Sequence, residues 1–136
     1  MALPGVGLRF QACNYFKAIG NKVHNCSRRS AVGNHGLVVH SANSSLPDDD
    51  PNKTNDVDKS FIQKNEVYRN YNELFSWSSL KTFITPEIDE GKGISMQKNN
   101  GSNGWEYGFI VIENNIAYGN GFSGIHLNQC DKFKIY

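Results

Sequence analysis

A short pattern of apolar and polar positions recurs along the chain: glycine, aliphatic, any residue, apolar, polar. It occurs four times, as Gly7-Leu8-Arg9-Phe10-Gln11, Gly36-Leu37-Val38-Val39-His40, Gly93-Ile94-Ser95-Met96-Gln97 and Gly124-Ile125-His126-Leu127-Asn128. Apolar residues two apart predict a strand with one buried side, because successive side chains point to opposite faces. A second pattern, Asn-x-(Val/Ile), alternates strictly with the first, in Asn21-Lys22-Val23, Asn65-Glu66-Val67 and Asn114-Asn115-Ile116. The first copy also extends further, since Gly7 through Lys17 aligns without gaps on Gly124 through Lys134, matching Gly, aliphatic, apolar, Cys, Asx, Phe and Lys in turn.

A strand this short cannot bury its apolar side alone and must stack on copies of itself, which predicts an all-β solenoid. Leu8, Leu37, Ile94 and Ile125 are expected to form one inward column, and Phe10, Val39, Met96 and Leu127 the next. Asn21, Asn65 and Asn114 are expected to form a ladder of side-chain amides, each satisfying its neighbour. Gln63 stands where Ile19 and Ile112 stand, which predicts a shift or bulge in the second coil. Long inserts are expected at about 41–60 and 71–92 within a single domain spanning 1–136.

Composition narrows the ligand. With 14 basic and 13 acidic residues there is no field of one sign to gather nucleic acid, an anionic membrane or a strongly acidic polymer by charge alone. No apolar run is long enough for a membrane span, and the N-terminus lacks the pattern of an export signal. Thirteen glycines and many asparagines favour tight turns over helix. Cys13, Cys26 and Cys130 lack the spacing of a zinc site and read as small buried hydrophobes. His24, His35, His40 and His126 likewise lack metal-ligand spacing. The run Asp48, Asp49, Asp50, Asp56 and Asp58 reads as a solvated loop, since no fixed spacing orders its carboxylates for calcium. The stretch holding Phe75, Trp77 and Phe83 carries enough apolar surface to pack back on the coil.

Residues 7–40 and 93–136, above all Ile112-Glu113-Asn114-Asn115-Ile116 followed by Gly124-Ile125-His126-Leu127, resemble the repeat of right-handed parallel β-helix proteins of the pectate-lyase-like superfamily. The resemblance implies a right-handed parallel β-helix of three to four coils, a fragment without caps whose remaining coils lie on a longer parent chain. Such a stack is expected to be marginal alone or to associate end to end. It also implies an extracellular or cell-surface protein that works on polysaccharide through a groove on the flank. In that family a lysine or arginine commonly serves as base, with acidic residues that hold calcium or neutralise a uronate. The nearest charged cluster here is Glu87, Asp89, Glu90 and Lys92, so Lys92, Asp89 and Glu90 are the candidate catalytic residues.

The outward positions of the repeated strand are polar: Arg9 and Gln11, His40, Ser95 and Gln97, His126 and Asn128. At about 4.8 Å per coil they would form donors and acceptors at the pitch of a sugar chain. Arg9, His40, Gln97, His126, Asn128 and Trp77 are therefore the candidate substrate-binding residues, with the faces of Trp105 and Tyr107 available for stacking. Two functions remain open. One is a polysaccharide lyase or hydrolase-like enzyme, and the other is a non-catalytic glycan-binding or structural surface solenoid.

Overall fold

The computed structural model describes residues 5–28, 34–45, 56–72, 75–76, 85–86, 91–100 and 107–136. Among them the chain is all-β. Its strands are β1 (Leu8–Gln11), β2 (Lys17–Ile19), β3 (Lys22–His24), β4 (Leu37–His40), β5 (Asp58–Gln63), β6 (Glu66–Tyr68), β7 (Phe75–Ser76), β8 (Thr85–Pro86), β9 (Ile94–Asn99), β10 (Phe109–Glu113), β11 (Ile116–Tyr118), β12 (Ile125–Cys130) and β13 (Phe133–Ile135). Three parallel sheets hold eleven of them, in the orders β1-β4-β9-β12, β13-β10-β5-β2 and β11-β6-β3. The chain visits the first, second and third sheets in turn and returns to the first, which fits a parallel β-solenoid. β7 and β8 pair antiparallel between the second and third coils.

The two inward columns lie in the expected register: Leu8, Leu37, Ile94 and Ile125 pair in sequence, as do Phe10, Val39, Met96 and Leu127. Leu37, Val39, Ile94 and Met96 are wholly buried, and Phe16, Ala18, Val23, Ile62, Val67, Ile110 and Ile112 complete the core from the other sheets. Each large aliphatic side chain so buried contributes roughly 1.5–3 kcal/mol. The cysteines are free, with Cys26 buried and Cys13 and Cys130 half-buried.

The corners repeat as strictly as the strands. At the end of the first sheet the chain turns through positive φ at Ala12, Ser41, Lys98 and Gln129, the last two within the closing residues of β9 and β12, after the second sheet at Gly20, Lys64 and Asn114, and after the third at Asn25, Arg69 and Gly119. A left-handed residue points the peptide N–H that follows it away from the sheet ladders and leaves it in need of a partner. An asparagine in the following coil supplies that partner and ties it to a carbonyl before the bend. Asn65 Nδ2 donates to Ala18 O at 2.8 Å, and its Oδ1 accepts from Asn21 N at 3.0 Å, so one amide spans the bend at Gly20.

The same clamp recurs at four further bends. Asn115 spans Ile62 O to Asn65 N, Asn70 spans Val23 O to Cys26 N, Asn120 spans Val67 O to Asn70 N, and Asn99 spans Val39 O to Ala42 N. The expected ladder therefore runs Asn21, Asn65, Asn115, with Asn115 in place of Asn114, which is itself the left-handed bend residue. A second ladder, Asn70 to Asn120, begins at Cys26 in the first coil.

The opening glycines make room for these amides. A Cβ on Gly36 would come within 2.6 Å of Asn70 Nδ2, and one on Gly93 within 2.7 Å of Asn120 Nδ2. The register break also differs from expectation. Ile19, Gln63 and Glu113 are true partners, so the second coil carries no shift there. The irregularity lies at Lys59, where Asp58 opposes Phe109 and Ser60 opposes Ile110. Lys59 is buried and donates to Ser45 O.

Asn65→Ala removes a clamp, leaving Asn21 N without its partner and Ala18 O with its ladder bond alone, so urea unfolding should show a loss of about 2 kcal/mol. Asn114→Gly, at a left-handed bend, should be neutral or stabilising by up to about 1 kcal/mol. Equal losses at the two positions would contradict the register given for the ladder.

Candidate functional site

The outer face of the first sheet carries the predicted binding residues in two rows. Gln11, His40, Gln97 and Asn128 pair in register along one, and Arg9, Val38, Ser95 and His126 along the other. Arg9 and Asn128 are exposed, His40, Gln97 and His126 half-buried, and Val38 and Ser95 buried. The face is therefore open at its two edge strands and closed in between. Trp77, Glu87, Asp89 and Glu90 lie outside the described residues, as do Phe83, Trp105, Asp48, Asp49, Asp50 and the side chain of Phe75. Asp56 and Asp58 pair with Lys132 and Lys134, which ties the end of the first insert to the fourth coil. Tyr107 donates its backbone N–H to Asn43 O.

Lys92 reaches this face from the residue before an opening glycine. The coil-to-coil bonds Gly7 N to His35 O, Gly36 N to Lys92 O and Gly93 N to Ser123 O stack His35, Lys92 and Ser123 along the edge of the first sheet. Lys92 is 8% exposed, and its Nζ lies 5.1 Å from the centre of the Phe122 ring, which meets His126 edge-on. Thus Lys92, Gln97 and His126, three residues named from the sequence, come together here. His35 joins them without having been singled out. Its Nδ1 accepts the backbone N–H of Lys92 at 3.3 Å, and its Nε2 lies 3.0 Å from the Gln97 amide nitrogen, which also reaches Ser95 Oγ at 3.1 Å.

With Nδ1 accepting, a neutral His35 carries its proton on Nε2, and the contact is satisfied when Gln97 turns its carbonyl oxygen toward the ring. The sequence signal for His35 was its place beside Lys92 before a repeated glycine. Across the cluster, the buried His126 Nδ1 and Ser123 Oγ have no hydrogen-bond partner among the described residues.

Electrostatics keep these imidazoles neutral. Burial, then Lys92 and His126, push the His35 pKa down from 6.5 to about 4. Burial and Lys92 lower that of His126, while burial, Arg9 and Lys98 lower that of His40, whose Nδ1 meets Ser41 Oγ at 3.0 Å. Among the described residues no group of three His, Cys, Asp or Glu side chains could hold a metal ion. No helix there is long and apolar enough to cross a membrane.

The third sheet presents a different outer face. His24, Tyr68 and Tyr118 stack with ring centres 4.9 and 5.0 Å apart, and Glu66 accepts from Lys22 at 3.1 Å and from the Tyr118 hydroxyl at 3.0 Å. The Lys22 ammonium and the Tyr118 hydroxyl hold the Glu66 carboxyl below its usual range. This column stabilises the sheet through cross-strand ring contacts and was not anticipated from sequence.

No family model matches the chain, and no curated protein or solved structure matches it either.

The lowered imidazoles set a sign for acid stability. Between about pH 4 and 6.5 the unfolded chain holds more protons than the folded one at His35, so stability should be full above pH 6.5 and fall as pH drops through that window. The depressed carboxyl of Glu66 acts only below its ordinary value of 4.5, so the upper part of the window belongs to histidine. Urea midpoints measured across this range should decline toward acid, and a flat profile would contradict a buried neutral His35.

Proposed function

We propose that this chain is a right-handed parallel β-helix that holds a polysaccharide against the outer face of its first sheet, as part of a lyase- or hydrolase-like protein. The observation that carries the reading is the in-register polar row Gln11, His40, Gln97 and Asn128, flanked by Lys92 and His126. Its repeat, about 4.8 Å per strand, suits the rise of a sugar chain lying across the strands. Right-handedness is the overwhelming preference for a chain that leaves one parallel strand and returns beside it in the same sheet. A secreted or cell-surface setting accompanies this reading.

For an enzyme, Lys92 is the candidate base, since it stands at the edge of this face with its Nζ over the Phe122 ring that meets His126. Asp89 and Glu90 are its candidate acidic partners, with calcium as the cation they would hold against a uronate. The second reading, a glycan-binding or spacer solenoid without chemistry, is favoured by the closed middle of the face. There Val38 and Ser95 are buried, and Gln97 is already engaged with His35.

On a panel of uronate and neutral polysaccharides, with and without calcium, Arg9→Ala and Asn128→Ala should each weaken binding by up to about tenfold, or 1.4 kcal/mol. A lyase would also release unsaturated uronide, visible by its ultraviolet absorbance and lost in Lys92→Met, which preserves the packed stem. Binding without product would favour the non-catalytic glycan-binding reading, and an absence of binding across the panel would contradict every polysaccharide reading and leave the spacer.

A further inference from the structure

His35 joins two parts of this face through its two ring nitrogens. Nδ1 takes the backbone N–H of Lys92, on the connection that enters β9, and Nε2 meets the side chain of Gln97, on β9 itself. The ring is 4% exposed, so water cannot readily replace either contact. A second proton would turn Nδ1 from an acceptor into a donor aimed at another donor, and the Lys92 N–H would lose its partner. It would also place a cation among groups that oppose it. Among the described residues these are Lys92, from the connection before β9, and His126, from β12; β9 offers the uncharged Gln97 and Ser95, and a hydrogen bond to the Asn34 backbone favours the charged ring by less than the others oppose it. An unpaired buried donor and an added buried charge each favour opening of the segment.

We propose that protonation of His35 gates this site: the neutral ring locks the connection through Lys92 and the Gln97 side chain against the first sheet, and the imidazolium releases both. The effect on ligand rests on the glycan reading of the same face, whereas the conformational step does not. The downward push on the His35 pKa from burial and from Lys92 and His126 agrees with a ring held neutral in the locked state.

The test is a nuclear magnetic resonance titration of the full chain, with labelled histidine and amide nitrogens, from about pH 7.5 to pH 3. The expected result is an Nε2-protonated His35 at neutral pH and a single transition near the acid end. The Lys92 backbone amide and the Gln97 side-chain amide should move with that midpoint, and Lys92 should lose about tenfold or more of its exchange protection. In His35→Asn, whose Oδ1 accepts the Lys92 N–H without titrating, the transition should vanish. A proton on Nδ1 at neutral pH, or Lys92 and Gln97 signals indifferent to the titration of His35, would overturn the proposal.

Binding of polygalacturonate, compared between about pH 6 and pH 3, should fall about tenfold more in the native chain than in His35→Asn, which controls for titration of the polymer. Binding that is equally pH-dependent in both would overturn the gate and leave the glycan reading standing. The amide transition without binding at any pH would support the gate and remove that reading.

Discussion

In a stack of parallel strands every ladder hydrogen bond runs from one coil to the next, so each corner where the chain leaves a sheet strands the peptide N–H that follows the bend. Here an asparagine one coil further on meets that need. Its amide nitrogen takes the carbonyl before the left-handed bend, and its amide oxygen takes the N–H after it. Asn65, Asn70, Asn99, Asn115 and Asn120 all make this pair of contacts. The clamp explains three features together: left-handed residues at matching positions, asparagine just beyond those positions, and an opening glycine that leaves space for the amide at the corner between the third and first sheets.

The candidate site is a consequence of that geometry. Because the opening glycine fixes where each first-sheet strand begins, the residue before it stacks in register too, which puts His35 beside Lys92 and Lys92 beside Ser123. β9 then presents Gln97 to His35, and β12 presents His126 on the same face. A cluster gathered from residues far apart in the chain therefore needs no loop of its own to hold it. The corners supply the rigidity, and burial supplies the low dielectric that keeps the imidazoles neutral.

The sequence revealed the inward columns because alternation of period two is strong at Leu8 and Phe10 and is repeated with large aliphatic residues at Ile94 and Met96. It misplaced the third rung of the asparagine ladder for a physical reason. In Asn114-Asn115-Ile116-Ala117 the inward residue is the small Ala117, paired with Val67, while the larger Ile116 points to solvent at 61% exposure. Hydrophobicity alone selects the wrong phase there, and the error made the second coil look shifted at Gln63. The second ladder was obscured because its first member is Cys26. Of the site, Gln97 and His126 were legible as outward polar positions of the repeated strand and Lys92 as the end of a charged cluster before an opening glycine, but the closure of the face over Val38 and Ser95 and the two-sided role of His35 depend on three-dimensional contacts that spacing does not encode.

Everything above rests on asparagine clamps acting between successive coils, and long-range proton contacts between side-chain amides test them most directly. If the clamps hold the coils, the Asn65 side-chain amide shows cross-peaks to the amides of both Asn21 and Asn115 and exchanges slowly with solvent. Cross-peaks to Asn114 in place of Asn115, or a freely exchanging Asn65 amide with no contact across coils, would contradict the stack.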